Sequence, residues 1–402
     1  MKSLPNIIFY LILAGLSCSF IKLYFAQNDL ESILAEGVFP WYFKVHFIGN
    51  VLISMASIGS FVLYRKHFPN FVSTCYILLI VFVVFASLGD LSDTLKTPSF
   101  FYSTKGIGTF INIGILFFAA DAVNFPKILK FFFYACVGVI LAGFVNLGKV
   151  GMGAGRMEFL LVIRDFTVFL IWVFPYFFLQ DEPDKRKNIF TIGIFLIIFI
   201  FILSSGSRSY LLLYMVYIGV KFRAQLQSRV GIVTILGLVV LAVAGYFIIT
   251  NSSLNKTFGT AVDNLTQRSS EDTRSSQLID FLSQYDLSYL IQGVGPFKQW
   301  NWHGFGMYSF LDNQFLLLSW WAGLPTLLAY AYFLIRSVRT KSEILLFENV
   351  KGLKLIITLW IGACLGFAVY VTISCDAYYY FLSLLMGMMT CKYTQLLDAE
   401  HE

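Results

Sequence analysis

The chain has 402 residues, of which 58% are hydrophobic and 13% charged, and its mean hydropathy is +0.74. Soluble domains carry about 25% charged residues, so this composition excludes a water-soluble globular protein. A net charge of +6 on so apolar a chain gives no footing for a nucleic-acid partner; in a membrane protein the position of the basic residues matters more than their sum.

Crossing the hydrocarbon core takes about 20 apolar residues. Blocks of that kind run roughly 4–21, 46–64, 71–89, 106–122, 131–148, 158–179, 188–206, 208–223, 230–250, 313–335, 355–374 and 376–391. The expected fold is therefore all-α, a polytopic bundle of about 12 helices forming one membrane domain over 1–402. The first block follows Lys2 and runs to Phe20 like a signal peptide. No A-x-A-like cleavage site follows, so it reads as an uncleaved first helix. The eighth block is short, and only Cys375 and Asp376 separate the last pair. Cys18, Cys75, Cys136, Cys364, Cys375 and Cys391 fall in or beside apolar blocks, without CxxC spacing or a nearby histidine. They read as small packing residues, not as metal ligands or a disulfide framework.

Basic residues assign the sides. Arg65–Lys66, Lys127 with Lys130, Lys185–Arg186–Lys187, then Lys221, Arg223 and Arg229 fall in one set of loops. Arg336, Arg339, Lys341, Lys351, Lys354 and Lys392 continue it. The positive-inside rule makes that side cytoplasmic, with both termini on it. The long polar segment, 251–312, then lies outside the cytoplasm. A loop of this length between membrane helices is functional or disordered. Trp300, Trp302, Phe281, Phe305 and Phe310 argue against disorder. From Asp272 to Tyr285 the residues Leu278, Phe281, Leu282 and Tyr285 recur at spacings of three and four, which predicts an amphipathic helix capped by Ser269, Ser270 or Asp272. That helix lies along the membrane surface or packs over the bundle. Gly293, Gly295 and Pro296 then make a turn; Gly-x-Gly alone is too weak a signal for a phosphate loop.

Arginine in a span costs about 2.5–3.5 kcal/mol at the helix centre, so such residues are functional candidates. Arg208 sits in "SSGSRSYLLLYM" between two apolar blocks, on the side of the long loop. Ser204, Ser205, Gly206, Ser207 and Ser209 around it make a notch able to hold an anion with backbone N–H groups. The plainer alternative is an arginine snorkelling at a tight turn. Arg156 precedes the sixth block on the same side, in "GMGAGRMEFLLVIRDF". Arg164 there either serves a site or neutralises a polar seam with Glu158 and Asp165, which share a helix face. Arg268 and Arg274 flank Glu271 and Asp272 in the loop, where solvated charge is the ordinary reading. Arg274 opens the amphipathic helix and so can be held at the bundle surface. Arginine forks bind phosphate bidentately. Candidate bases on this side are His303, Asp312, Glu271 and Asp272. His303 in "WNWHGFG" reads equally as a surface histidine, and Asp312 as the N-cap of the next helix. Trp300, Trp302, Trp320 and Trp321 could offer faces to sugars, though an interfacial belt is the default for tryptophan.

Three stretches resemble the O-antigen polymerase and ligase superfamily of bacterial envelope glycosyltransferases. "SSGSRSYLL" is similar to its Ser-Arg helix motif, and "RSSQLIDFLSQYDLSYLIQGVGPF" to its loop pattern of an arginine, a helix and G-x-G. "DNQFLLLSWWAGLPTLLAYAYFL" is similar to the following helix, where an H-N or D-N pair precedes an apolar run. The resemblance covers roughly the C-terminal half. It implies an undecaprenyl-pyrophosphate-linked glycan as donor, with Arg208 and Arg274 holding the pyrophosphate and stabilising it as it leaves. Arg268 and Arg156 are further candidates for that role. The ligases' histidine position is here Asp312, followed by Asn313, which leans toward a polymerase and leaves the base between Asp312 and His303. No metal motif is present, so metal-independent and cofactor-free transfer is expected. The implied setting is the bacterial inner membrane with the site facing the periplasm, membrane lipid as surroundings and a chain-length regulator as a candidate protein partner. A ligase acting on lipid A–core, or a lipid-linked-sugar flippase, are the competing readings.

Overall fold

The computed structural model describes residues 3–28, 40–88, 106–147, 273–295, 298–302, 306–308, 311, 314–340 and 377–392. Nine α-helices are described: α1 (Ser3–Asn28), α2 (Trp41–Tyr64), α3 (Asn70–Leu88), α4 (Ile107–Asn112), α5 (Phe125–Leu147), α6 (Thr273–Gln284), α7 (Leu287–Gln292), α8 (Gln314–Arg339) and α9 (Ala377–Thr390). Three-residue strands β1 (Trp300–Trp302) and β2 (Gly306–Tyr308) pair antiparallel, Asn301 opposite Met307. Helix makes up 86% of the described residues, so the all-α class holds there. Seven of the expected spans coincide with described helices; 158–179, 188–206, 208–223, 230–250 and 355–374 lie outside the described residues.

Four segments are long and apolar enough to cross a membrane: Leu4–Lys22, Trp41–His67, Asn70–Leu88 and Phe315–Arg339. α2 shows why lipid, not water, is the solvent. Its inward face includes the buried Asn50, Ser57 and Ser60. Its outward face is Ile48, Val51, Met55, Ile58 and Val62, spaced three and four apart and all exposed. An exposed face more apolar than the buried one reverses the pattern of a soluble helix. α1 packs closely on α2 because glycines meet at the crossing. A β-carbon on Gly49 would lie 2.8 Å from Gly15 O and 2.6 Å from Cys18 Cβ. Small residues at such crossings let membrane helices approach.

At the expected span 106–122 the structure has a shorter apolar helix, Ile107–Ala120. α4 runs into a 3-10 segment, Ile113–Ala120, whose residues are all buried. At about 1.5 Å per residue in an α-helix and 2.0 Å in a 3-10 helix it is a core element, walled by neighbours. Phe117 meets Phe61, Phe68 and Tyr76 ring to ring at 5.0–5.6 Å. α9 is fixed against this segment and α2 by a polar chain in the interior. Tyr380 Oη donates to Asn50 Oδ1 and accepts from Asn112 Nδ2 at 3.3 Å, while Ser54 Oγ donates to Asn112 Oδ1 at 2.6 Å. Away from water, each polar group must find its partner inside the protein.

One end of the bundle collects basic residues. Lys392 N–H donates to His67 O at 2.8 Å, tying the end of α9 to the 65–67 turn. Tyr64 Oη donates to Asp121 Oδ2 at 2.9 Å, and Asp121 Oδ1 accepts from Asn124 N–H at 3.0 Å, capping the start of α5. Lys127 Nζ reaches Asn124 Oδ1 at 3.0 Å, and the Arg336 guanidinium lies over the Phe71 ring at 5.6 Å. Arg65–Lys66, Lys127, Arg336 and Lys392 therefore share one end, as the loop charges predict.

Candidate functional site

The segment 273–308 folds onto the opposite end of α8. Its centre is Phe281, fully buried, with Trp300 and Trp320 edge-on at 5.5 and 5.4 Å and Tyr285 stacked at 5.3 Å. Such ring pairs add about 0.5–1.5 kcal/mol each beyond burial. The β-ribbon is held to α6 by side chain to backbone bonds. Gln284 Nε2 donates to Asn301 O at 2.6 Å and Gln284 Oε1 accepts from Asn301 N–H at 2.9 Å, closing a two-bond clasp. Tyr285 Oη donates to Gln299 O at 2.9 Å. Burial, followed by the neighbouring Tyr289, pushes the Tyr285 phenol above its ordinary pKa, which keeps it a donor.

The turn after α7 docks on α8 through backbone hydrogen bonds. Pro325 has no N–H, so the carbonyl of Trp321, four residues earlier, has no helical donor. Gly323 beside it leaves helical geometry, at φ 83° and ψ 160°. The carbonyls freed by this break take donors from the Gly293-x-Gly295 turn: Val294 N–H to Trp320 O at 2.7 Å and Gly295 N–H to Trp321 O at 3.1 Å. Ser319 Oγ adds a bond to Leu290 O at 2.7 Å. Nonhelical backbone at membrane depth needs such internal partners. The G-x-G turn thus repairs a broken helix. A Gly-Leu-Pro inside an apolar run was the sequence signal for this break.

One expectation is corrected. Trp300, Trp320 and Trp321 are buried, so they are neither sugar platforms nor an interfacial belt; they form the seam between segment and bundle, Trp321 meeting Phe110 at 5.9 Å. Among the described residues the indole N–H groups of Trp320 and Trp321 find no hydrogen-bond partner, and ring packing accompanies their burial. Within α6, Phe281 is buried and Tyr285 half-buried as the pattern predicts, but Leu278 and Leu282 are exposed. The helix is apolar on two sides.

Arg274 is the second residue of α6, which places its backbone at the start of the docked segment. α6 opens directly after Asp272, and α8 opens at Gln314, directly after Asp312 and Asn313. Arg208, Arg268, Arg156, His303 and Asp312 themselves lie outside the described residues, as do Arg164, Glu158, Asp165 and Glu271. No protein-family model matches the chain, and no curated protein matches it.

Proposed function

We propose that this chain is a membrane glycosyltransferase that polymerises undecaprenyl-pyrophosphate-linked repeat units into a surface polysaccharide at the periplasmic face. One observation carries the reading furthest: an ordered segment, 273–308, is docked on α8 at the end away from the basic turns. An arginine opens that segment, and His303 follows β1 in the sequence. A folded, arginine-bearing cap on one end of a lipid-exposed bundle suits chemistry on a substrate whose tail stays in the membrane.

In the proposed reaction an acceptor sugar hydroxyl attacks the anomeric carbon of the lipid-linked donor. The new glycosidic C–O bond forms as the bond from that carbon to the pyrophosphate oxygen breaks. Asp312 or His303 takes the hydroxyl proton, and Arg208 and Arg274, with Arg268 and Arg156 in reserve, stabilise the departing undecaprenyl pyrophosphate. The purified protein, reconstituted in vesicles with lipid-linked repeat units, should lengthen the glycan on the lipid. Transfer to lipid A–core in place of elongation makes it a ligase. Movement of unaltered repeat units across the bilayer makes it a transporter and overturns the enzyme reading.

A further inference from the structure

The docked segment divides its surface three ways. Turning 100° per residue along α6, Gln277 and Phe281 face inward and are buried. Asp280, Ser283 and Gln284 occupy one flank, where Gln284 clasps Asn301. Leu278, Ile279 and Leu282 occupy the other flank and are exposed, Ile279 at 66%. α7 continues the apolar side: Leu290 is buried, while Leu287 and Ile291, four apart and hence on one face, are exposed, Leu287 at 74%.

Depth decides what meets this flank. The Ser319–Leu290 and Val294–Trp320 bonds set α7 level with residues 319–321 of α8. Arg336, at the basic end, is 13 residues beyond the break at Gly323, about 20 Å along the continuous part of α8. The hydrocarbon core is about 30 Å thick. With the Arg336 head group at one boundary, the break on which α7 docks falls within the core, about 10 Å short of the other boundary. Between the break and Arg336 the same helix α8 exposes Leu328, Tyr332 and Ile335, so apolar side chains stand in the open at this depth on α8 as well.

We infer that α6 and α7 are an interfacial device, with Leu278, Ile279, Leu282, Leu287 and Ile291 seated in bilayer lipid while the Gln284–Asn301 flank faces water. Half of the cap is thereby held by the membrane, independently of which reaction the chain performs.

The unaltered protein in phospholipid vesicles provides the test. A carbene generated from an apolar diazirine dissolved in the hydrocarbon, mapped by peptide mass spectrometry, should mark Leu287 and Ile291 to within about threefold of Leu328 and Ile335. Hydroxyl radicals generated in the water should mark residues 298–301 and spare 287 and 291. Water-phase labelling of Leu287 and Ile291 would overturn the inference. So would the absence of both labels, which would mean that protein covers them. As a check that needs no labelling, Leu287→Asn with Ile291→Asn should raise proteolysis within 273–308 in vesicles several-fold, and unchanged proteolysis counts against a lipid-held flank.

Discussion

Gly293 and Gly323 meet backbone to backbone. A β-carbon on Gly293 would lie 2.7 Å from Gly323 N, and one on Gly323 would lie 2.9 Å from the carbonyls of Ile291 and Gln292. Both residues also have positive φ, 80° and 83°. Two independent constraints, space and dihedral, thus fall on the same pair, and the pair joins the 273–308 segment to the bundle.

Gly293→Ala and Gly323→Ala should each loosen the segment. With ψ at 150° and 160° both glycines sit in a region essentially open only to glycine, where a side chain costs about 1–3 kcal/mol, and the clash with rigid backbone adds to it. Gly306 is the control: its φ is 78°, but nothing lies within 4 Å of an added β-carbon. Gly306→Ala should therefore cost only the dihedral part. Thermal unfolding in detergent, followed by proteolysis within 273–308, should rank both docking glycines clearly below Gly306.

Pro325→Ala tests why the turn binds where it does. The new N–H can donate to Trp321 O and compete with Gly295 N–H. In the native protein the amides of Val294 and Gly295 should exchange slowly with deuterium for residues in a loop. In Pro325→Ala the protection of Gly295 should fall by about tenfold, a loss of roughly 1.4 kcal/mol, comparable to one net hydrogen bond, while Val294 keeps Trp320 O as its acceptor. Unchanged protection would mean that Gly323, not Pro325, sets the break.

Tyr380→Phe removes two bonds of the interior chain linking α9 to Asn50 and Asn112. Hydrogen bonds between membrane helices average about 0.6 kcal/mol, with a maximum near 1.7. The expected loss is about 1–2 kcal/mol, and Ser54→Ala, which removes one bond, should lose roughly half as much. Equal losses would mean that only one of the phenol's two bonds contributes to stability.

What the sequence made legible follows from range. The spans at 4–21, 46–64, 71–89 and 313–335 are visible because lipid demands apolar residues on every face, and the structure has helices there. The helix at 273–284 is visible from the local spacing of Leu278, Phe281 and Tyr285. The same spacing could not say that Leu278 and Leu282 turn away from Phe281's pocket, because one helix cannot reveal which side its neighbour takes. Asn50 with Tyr380 is a long-range bond between polar residues that look isolated in the chain. Gly323 and Pro325 hide within an apolar run, and only the partner turn shows what they free. Of the candidate site, the order of parts is legible: Arg274 opening a helix, Gly293-x-Gly295 turning, Asp312 preceding α8.

Replacement of the candidate residues separates binding from proton transfer. Arg208→Ala and Arg274→Ala should each lower polymer formation in a cell-envelope glycan assay by about 100-fold or more, as loss of one transition-state charge partner does. Arg268→Ala and Arg156→Ala, further candidates for the pyrophosphate, should cost less. Arg→Lys keeps the charge and loses the fork, so Arg274→Lys should recover activity only in part. Asp312→Asn and His303→Ala, compared side by side, distinguish the base. The residue that serves should cost about 100- to 10,000-fold, and its loss should abolish the acidic limb of the pH–rate profile, because a base must be deprotonated to act. Full polymer length with both Arg208→Ala and Arg274→Ala would remove the pyrophosphate site from these positions, whatever the bundle around them does.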